Sequence, residues 1–209
     1  MLPYTQIISL GRACQPRYQL RRMRGTVDAY PFDWIITPDE GLRAVIAAGL
    51  AGFLDPQFLR RDPDGMVCDS RHQLRFMHEF PPGQPIGAGL AQHGARYVNL
   101  VRKWHDLMAS DHRVLFVRQH GWAKDIAATA ALLVATLERA APALDFELLY
   151  LTEPRQHDPA QHARRTMFRP LGQSPTGRWE GDDAVWDALL AEVGMPPTPP
   201  QAGLPPRAG

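Results

Sequence analysis

The sequence predicts an α/β protein: a single domain with a central, mostly parallel sheet flanked by helices. Three observations carry that expectation. Short apolar, β-favouring runs alternate with segments of helical periodicity, the rhythm in which strands are joined by crossover helices. With 209 residues, 44% of them hydrophobic and 22% charged, the chain can fill one substantial core and would be cramped as two. Proline and glycine fall where helices should start and stop. The domain is expected to span residues 1–194, and the proline-rich stretch 195–209, MPPTPPQAGLPPRAG, to be disordered for want of apolar side chains.

The elements follow in order. Gln6 to Leu10 reads as a buried strand and Gly11 as a turn. A helix comes next, with Pro16 in its first turn and Gly25 just past its end. Leu20 and Met23 would face inward, leaving Arg17, Arg21, Arg22 and Arg24 for water or an anionic ligand. Thr37, Pro38 and Glu40 form a capping-box pattern that opens a helix to about Leu50, with Leu42, Val45, Ile46 and Leu50 on its buried face.

Between Asp62 and Phe80 the periodicity changes to two, which places Leu74, Phe76, His78 and Phe80 on one face of a strand or hairpin. The segment PPGQPIGAGLAQHG is expected to be a surface loop. After it come a helix over ARYVNLVRKWHDLM, a strand at Val114 to Arg118, a helix from Asp125 to Ala140, a strand at Phe146 to Thr152 and a last helix from Asp182 to Val193. Trp179 and Trp186 flank the start of that last helix and are expected to anchor it.

Composition removes several function classes. A formal net charge of +1 offers no pull toward nucleic acid, and no apolar run approaches a membrane span. The opening residues lack a basic stretch followed by an apolar one, which predicts a cytoplasmic protein with no membrane partner. Two cysteines, Cys14 and Cys68, make neither a disulfide framework nor a zinc site. The histidines match no metal-ligand spacing and no phosphate-binding glycine motif is present, so neither a metal nor a cofactor is expected.

Chemistry concentrates on Cys14, which falls where a strand turns into a helix. There the unpaired N–H groups and the helix dipole favour an anion, and Arg12 and Arg17 add positive charge, so a lowered thiol pKa is expected. The same amides suit a developing oxyanion. A thiolate nucleophile commonly works with an imidazole, and His78 is the histidine that the period-two pattern aims inward. Asp33, between Phe32 and Trp34, is the carboxylate expected to orient it. Asn99, the one asparagine, falls opposite its helix's apolar stripe and is rejected for that role.

The segments IISLGRACQPRYQLRRMR, YPFDW and HEF, in this order, resemble a bacterial domain-of-unknown-function family described as putative papain-like cysteine peptidases. The likeness spans Tyr4 to Thr152 and takes in VLFVRQ. Its marks are a cysteine after S-L-G, a P-F-D-W block and a histidine before an acidic residue and phenylalanine, carried here by Cys14, Pro31 to Trp34 and His78. The resemblance implies a peptidase or isopeptidase, and a papain-like α+β fold as the alternative architecture. The papain signature C-G-[SA]-C-[WY] is absent, and 64 residues separate Cys14 from His78 where papain-type enzymes have roughly 130–150.

The carboxyl ends of the predicted strands deliver Gly11 to Cys14, Arg118 to His120, and Thr152 to Glu153 to one rim. Arg12, Arg17, Arg118 and Glu153 are the expected substrate-binding residues, Arg118 either holding an anionic group or pairing with Glu153. Two functions result: a cysteine hydrolase or acyl transferase acting on a peptide, an ester or an anionic small molecule, or a non-catalytic binding module or carbohydrate-associated factor holding an anion through Arg12, Arg17 and Arg118.

Overall fold

Both faces of the main sheet are buried, which is why its strands read as continuous apolar runs rather than alternating ones. In the computed structural model, which describes residues 3–24, 28–121, 124–172 and 177–195, this sheet holds β1 (Gln6–Ser9), β6 (Arg113–Gln119), β7 (Asp145–Thr152) and β8 (Thr166–Pro170). All pairings are parallel, in the order β1-β6-β7-β8. Ile8, Phe116, Leu148 and Tyr150 point to one face; Ile7, Leu115, Val117, Leu149 and Leu151 point to the other.

The first face is covered by α2 (Asp39–Ala47), α3 (Ile86–Met108) and α4 (Ile126–Ala140), and the second by α1 (Gln15–Arg24) and α5 (Asp183–Glu192). A second, antiparallel sheet completes the first face: β2 (Ile35–Ile36), β3 (Leu59–Arg61), β4 (Val67–Asp69) and β5 (Leu74–Phe76), in the order β2-β5-β4-β3. The α/β class with a parallel sheet is therefore observed, and the expected hairpin before Phe80 is β4–β5. Val67, Leu74 and Phe76 join the same core as Leu42, Trp104 and Leu133, so the two sheets share one hydrophobic interior.

Four local expectations are corrected. The Thr37 hydroxyl does not cap α2, whose N-cap is Pro38 without a side-chain bond; Thr37 turns inward to the β1 end and Arg118 instead. Helix α3 begins at Ile86, inside the expected loop, with Pro85 at its N-cap. Its Gly89 is a contact point rather than a breaker: a Cβ there would stand 2.6 Å from the Glu79 carbonyl oxygen and 2.5 Å from the Phe80 ring. Strand β8 went unseen because an edge strand with one buried residue, Phe168, lacks the apolar run that marks a central strand.

The last correction concerns the domain end. Met195 is buried in the core beside α5, one residue beyond the expected boundary. Residues 196–209 and Gly25, the expected helix stop, lie outside the described residues. Among the described residues no helix is long and apolar enough to cross a membrane.

Candidate active site

Cys14 sits at the end of a turn that glycine makes possible. Gly11 and Arg12 both take left-handed conformations, with φ of +71° and +81°. A Cβ on Gly11 would also lie 2.8 Å from the Thr37 hydroxyl and 2.9 Å from the Phe32 carbonyl oxygen. The chain thus reverses sharply off β1 and enters α1 at Gln15, and the Cys14 carbonyl accepts the Tyr18 N–H at 3.0 Å. Cys14 is the residue that caps the helix, beside first-turn N–H groups that the helix itself leaves without acceptors.

His78 arrives from the antiparallel sheet. Ile36 pairs with Arg75 and Ile35 with Phe76, so the chain leaving β5 passes alongside Trp34. The period-two pattern then breaks: residues 77–80 form bends, Glu79 is buried and His78 is exposed, the reverse of the expected facing. The cause is the Glu79 carboxylate, which accepts the Tyr97 hydroxyl at 2.7 Å and the His78 backbone N–H at 3.3 Å, with Arg96 at 3.9 Å. Holding that carboxylate inside turns the preceding side chain out, and His78 Nε2 comes to 3.7 Å from Cys14 Sγ. The Trp34 ring, 5.9 Å away between centroids and at 83°, packs against the imidazole in a T-shaped contact. Trp34 has φ of +64°, a conformation costing a bulky residue about 1–3 kcal/mol.

The thiol is not electrostatically bare. Burial, and then the Glu79 charge, push Cys14 up to about 11, opposite to the lowering expected from its place in the chain. The two arginines expected to lower it are engaged elsewhere. Arg17 is buried against Asp33 at 3.1 Å and donates to the Asp28 carbonyl at 3.1 Å, so it does not face an anionic ligand. Arg12 lies beside Asp39 and Arg118, with a Cβ on Gly121 only 3.2 Å from its Nε. At neutral pH the resting sulfur keeps its proton.

Asp33 is likewise used for structure. Its carboxylate accepts the Tyr30 N–H at 2.9 Å and pairs with Arg17, rather than meeting the imidazole of His78. Burial pushes it up to about 6, against the opposing pull of Arg17 and of the Tyr30 N–H. Within the P-F-D-W block the labour divides: Phe32 packs edge-on to Trp104 at 5.1 Å in the core, Asp33 locks α1 and Trp34 faces the site. Asn99 is exposed, as its helical position predicts.

Arg118 is 0% exposed and works as a tie. It donates to the Leu10 carbonyl at 3.0 Å, the Thr37 hydroxyl, the Thr37 carbonyl at 2.6 Å and the Asp39 carboxylate at 2.7 Å. That leaves it closed to substrate and paired with Asp39 rather than Glu153, which is exposed. In an anion-holding module built on Arg12, Arg17 and Arg118, Arg17 and Arg118 are committed to internal bonds and Arg12 lies against Asp39. On the same rim, both ring nitrogens of His120 and the Tyr150 hydroxyl are buried with no hydrogen-bond partner among the described residues. Nowhere among those residues do three or more His, Cys, Asp or Glu side chains gather as a metal site.

Cys14 and His78 open onto a cleft of about 360 Å³ whose other walls are Ala13, Gln15, Ile36, Met77 and Trp179. Sequence reasoning missed three of these. Ile36 ends a two-residue strand too short to see, and Met77 falls on the far side of a period-two alternation that stops at Phe76. Trp179 does not anchor the last helix, a role that buried Trp186 fills; it is 56% exposed and rests edge-on against Tyr18 at 5.4 Å.

No curated protein and no solved structure matches the chain. A family model does, over residues 5–153, well beyond half of the sequence, and the matched span holds Cys14, the 31–34 block and His78. The chain belongs to the domain-of-unknown-function family described as putative papain-like cysteine peptidase.

Proposed function

We propose that the protein is a cysteine-nucleophile hydrolase or acyl transferase, with peptide bonds as the family's suggested substrate and esters as chemically equivalent ones. The observation that carries this reading is the 3.7 Å approach of Cys14 Sγ to His78 Nε2 at a helix N-terminus, beside an open cleft. Because burial keeps the thiol protonated, His78 acts as general base at the moment of attack, not as the standing partner of a thiolate. This requires Nε2 unprotonated and the other ring proton on Nδ1.

The Sγ–H proton passes to His78 Nε2 while sulfur bonds to the substrate carbonyl carbon. The resulting oxyanion lies toward the first turn of α1, whose leading N–H groups have no acceptor within the helix. Collapse breaks the bond to the leaving nitrogen or oxygen, which takes the proton back from Nε2. A thioester on Cys14 remains; water or another nucleophile, deprotonated by His78, bonds to its carbonyl carbon, the C–S bond breaks, and the sulfur takes the proton back from Nε2. Trp34 and Glu79 hold the imidazole segment in place throughout.

The test is alkylation of Cys14 by iodoacetamide in a Cys68→Ser background. His78→Ala should slow the reaction at pH 7 by about 10-fold or more, the scale of a lost general base. Equal rates with and without His78 would remove the pair from consideration.

A further inference from the structure

The cleft beside Cys14 has an unusual wall. Large apolar side chains of this chain are overwhelmingly buried, yet Met77 at 42% and Trp179 at 56% exposure both stand at this one opening. With Ile36 and Ala13 they make an apolar surface, and the remaining walls are Cys14, Gln15 and His78; among the described residues no Lys, Arg, Asp or Glu lines it. Trp179 is steadied there by Tyr18 at 5.4 Å and by Trp34 at 6.5 Å, both edge-on. The segment carrying it lies tight on α1: Gly181 has φ of +83°, and a Cβ on it would fall 2.2 Å from the Gln15 amide.

A pocket of this lining releases ordered water when an apolar group enters and gives a carboxylate or ammonium no formally charged Lys, Arg, Asp or Glu partner, only the Gln15 amide and the imidazole that serves Cys14. Since the same cleft exposes Sγ, a group seated against Trp179 has its own carbonyl within reach of the nucleophile. We propose that Ile36, Met77 and Trp179 select the acyl side of the substrate, accepting an uncharged apolar acyl group and rejecting a charged one. This rests on the Cys14–His78 reading and adds to it a substrate class. The acyl group can come from a fatty-acid-like ester or from an apolar residue of a peptide, and the experiment separates the two.

The probes are p-nitrophenyl acetate, butyrate, hexanoate and hydrogen glutarate, with the p-nitrophenyl esters of N-acetylphenylalanine and N-acetylglutamate as the peptide-type pair. Each of the four methylenes added from acetate to hexanoate should raise kcat/KM about 3-fold as it enters the cleft, so hexanoate should exceed acetate by about 80-fold, and glutarate should fall near acetate. In Trp179→Ala and Met77→Glu, whose side chains are exposed and so leave folding intact, the hexanoate-to-acetate ratio should drop below about 5. A steeper response to phenylalanine over glutamate than to chain length identifies the peptide source; the converse identifies the aliphatic one. A burst of nitrophenolate with a flat chain-length profile, or with glutarate preferred, overturns the selection while leaving Cys14 as nucleophile. Absence of nitrophenolate release above that of Cys14→Ser with every ester overturns both.

Discussion

The Tyr97 hydroxyl donates to the Glu79 carboxylate at 2.7 Å, and both groups are buried. One hydrogen bond between a helix and a bend therefore decides which way the neighbouring histidine faces. Tyr97→Phe removes the donor and leaves the carboxylate short of a partner, at a cost of about 1–3 kcal/mol. Unfolding in urea should report that loss, and Cys14 alkylation at pH 7 should slow with it. Unchanged stability would mean the bond contributes nothing.

Glu79→Gln keeps an acceptor for Tyr97 but removes a negative charge near the sulfur. Since that charge raises the Cys14 thiol, the variant's alkylation-against-pH curve should move to lower pH than that of the parent. A midpoint that stays put or rises would contradict the electrostatic account.

Asp33 supplies a pH signature. Its folded pKa, about 6, exceeds the ordinary 3.8, so the carboxyl binds its proton more tightly in the folded state. Its favourable contribution is present below about pH 4 and is lost as pH rises through 6. Asp33→Asn, which does not titrate, should therefore gain stability relative to the parent between pH 4 and 7, by up to about 3 kcal/mol. Thermal unfolding across that range measures it, and a gap that is constant with pH would refute the assignment. Arg17→Ala, by contrast, strands the buried carboxylate and should cost about 3–5 kcal/mol at pH 7.

Tyr150 and Arg118 make a contrasting pair on one rim. The Tyr150 hydroxyl has no partner among the described residues, so Tyr150→Phe should be neutral or stabilising by about 1 kcal/mol. Arg118→Met removes the donor to the Leu10 and Thr37 carbonyls and should destabilise by about 3 kcal/mol or more. If Tyr150→Phe is clearly destabilising, a bound water or other group pairs with that hydroxyl.

Much of the framework was legible because its cause is local. Runs such as Val114 to Val117 and Leu148 to Leu151 announce strands buried on both faces, and Leu42, Val45 and Ile46 announce a helix with one buried face. Cys14 was legible for the same reason: a glycine turn between strand and helix is written in adjacent residues. His78 was identified through a pattern that does not persist to its position, since only the fold reveals that Glu79 takes the inward place. The pairings of Arg17 with Asp33 and of Arg118 with Thr37 and Asp39, and the burial that raises the Cys14 thiol, join residues distant in sequence. Periodicity carries no information about such partners. Trp179 was misjudged because an exposed tryptophan beside a helix and an anchoring one look alike in one dimension.

Cys14 hangs from the parallel sheet and His78 from the antiparallel one, with the Arg118 bonds fastening the first and the Glu79–Tyr97 bond the second. The spacing of sulfur and imidazole is thus a ruler laid across two scaffolds. Any loosening of the smaller sheet lengthens it, even while the larger sheet holds. The meeting of sulfur and imidazole is thereby conditional on complete folding: a half-assembled chain carries the cysteine without the histidine beside it.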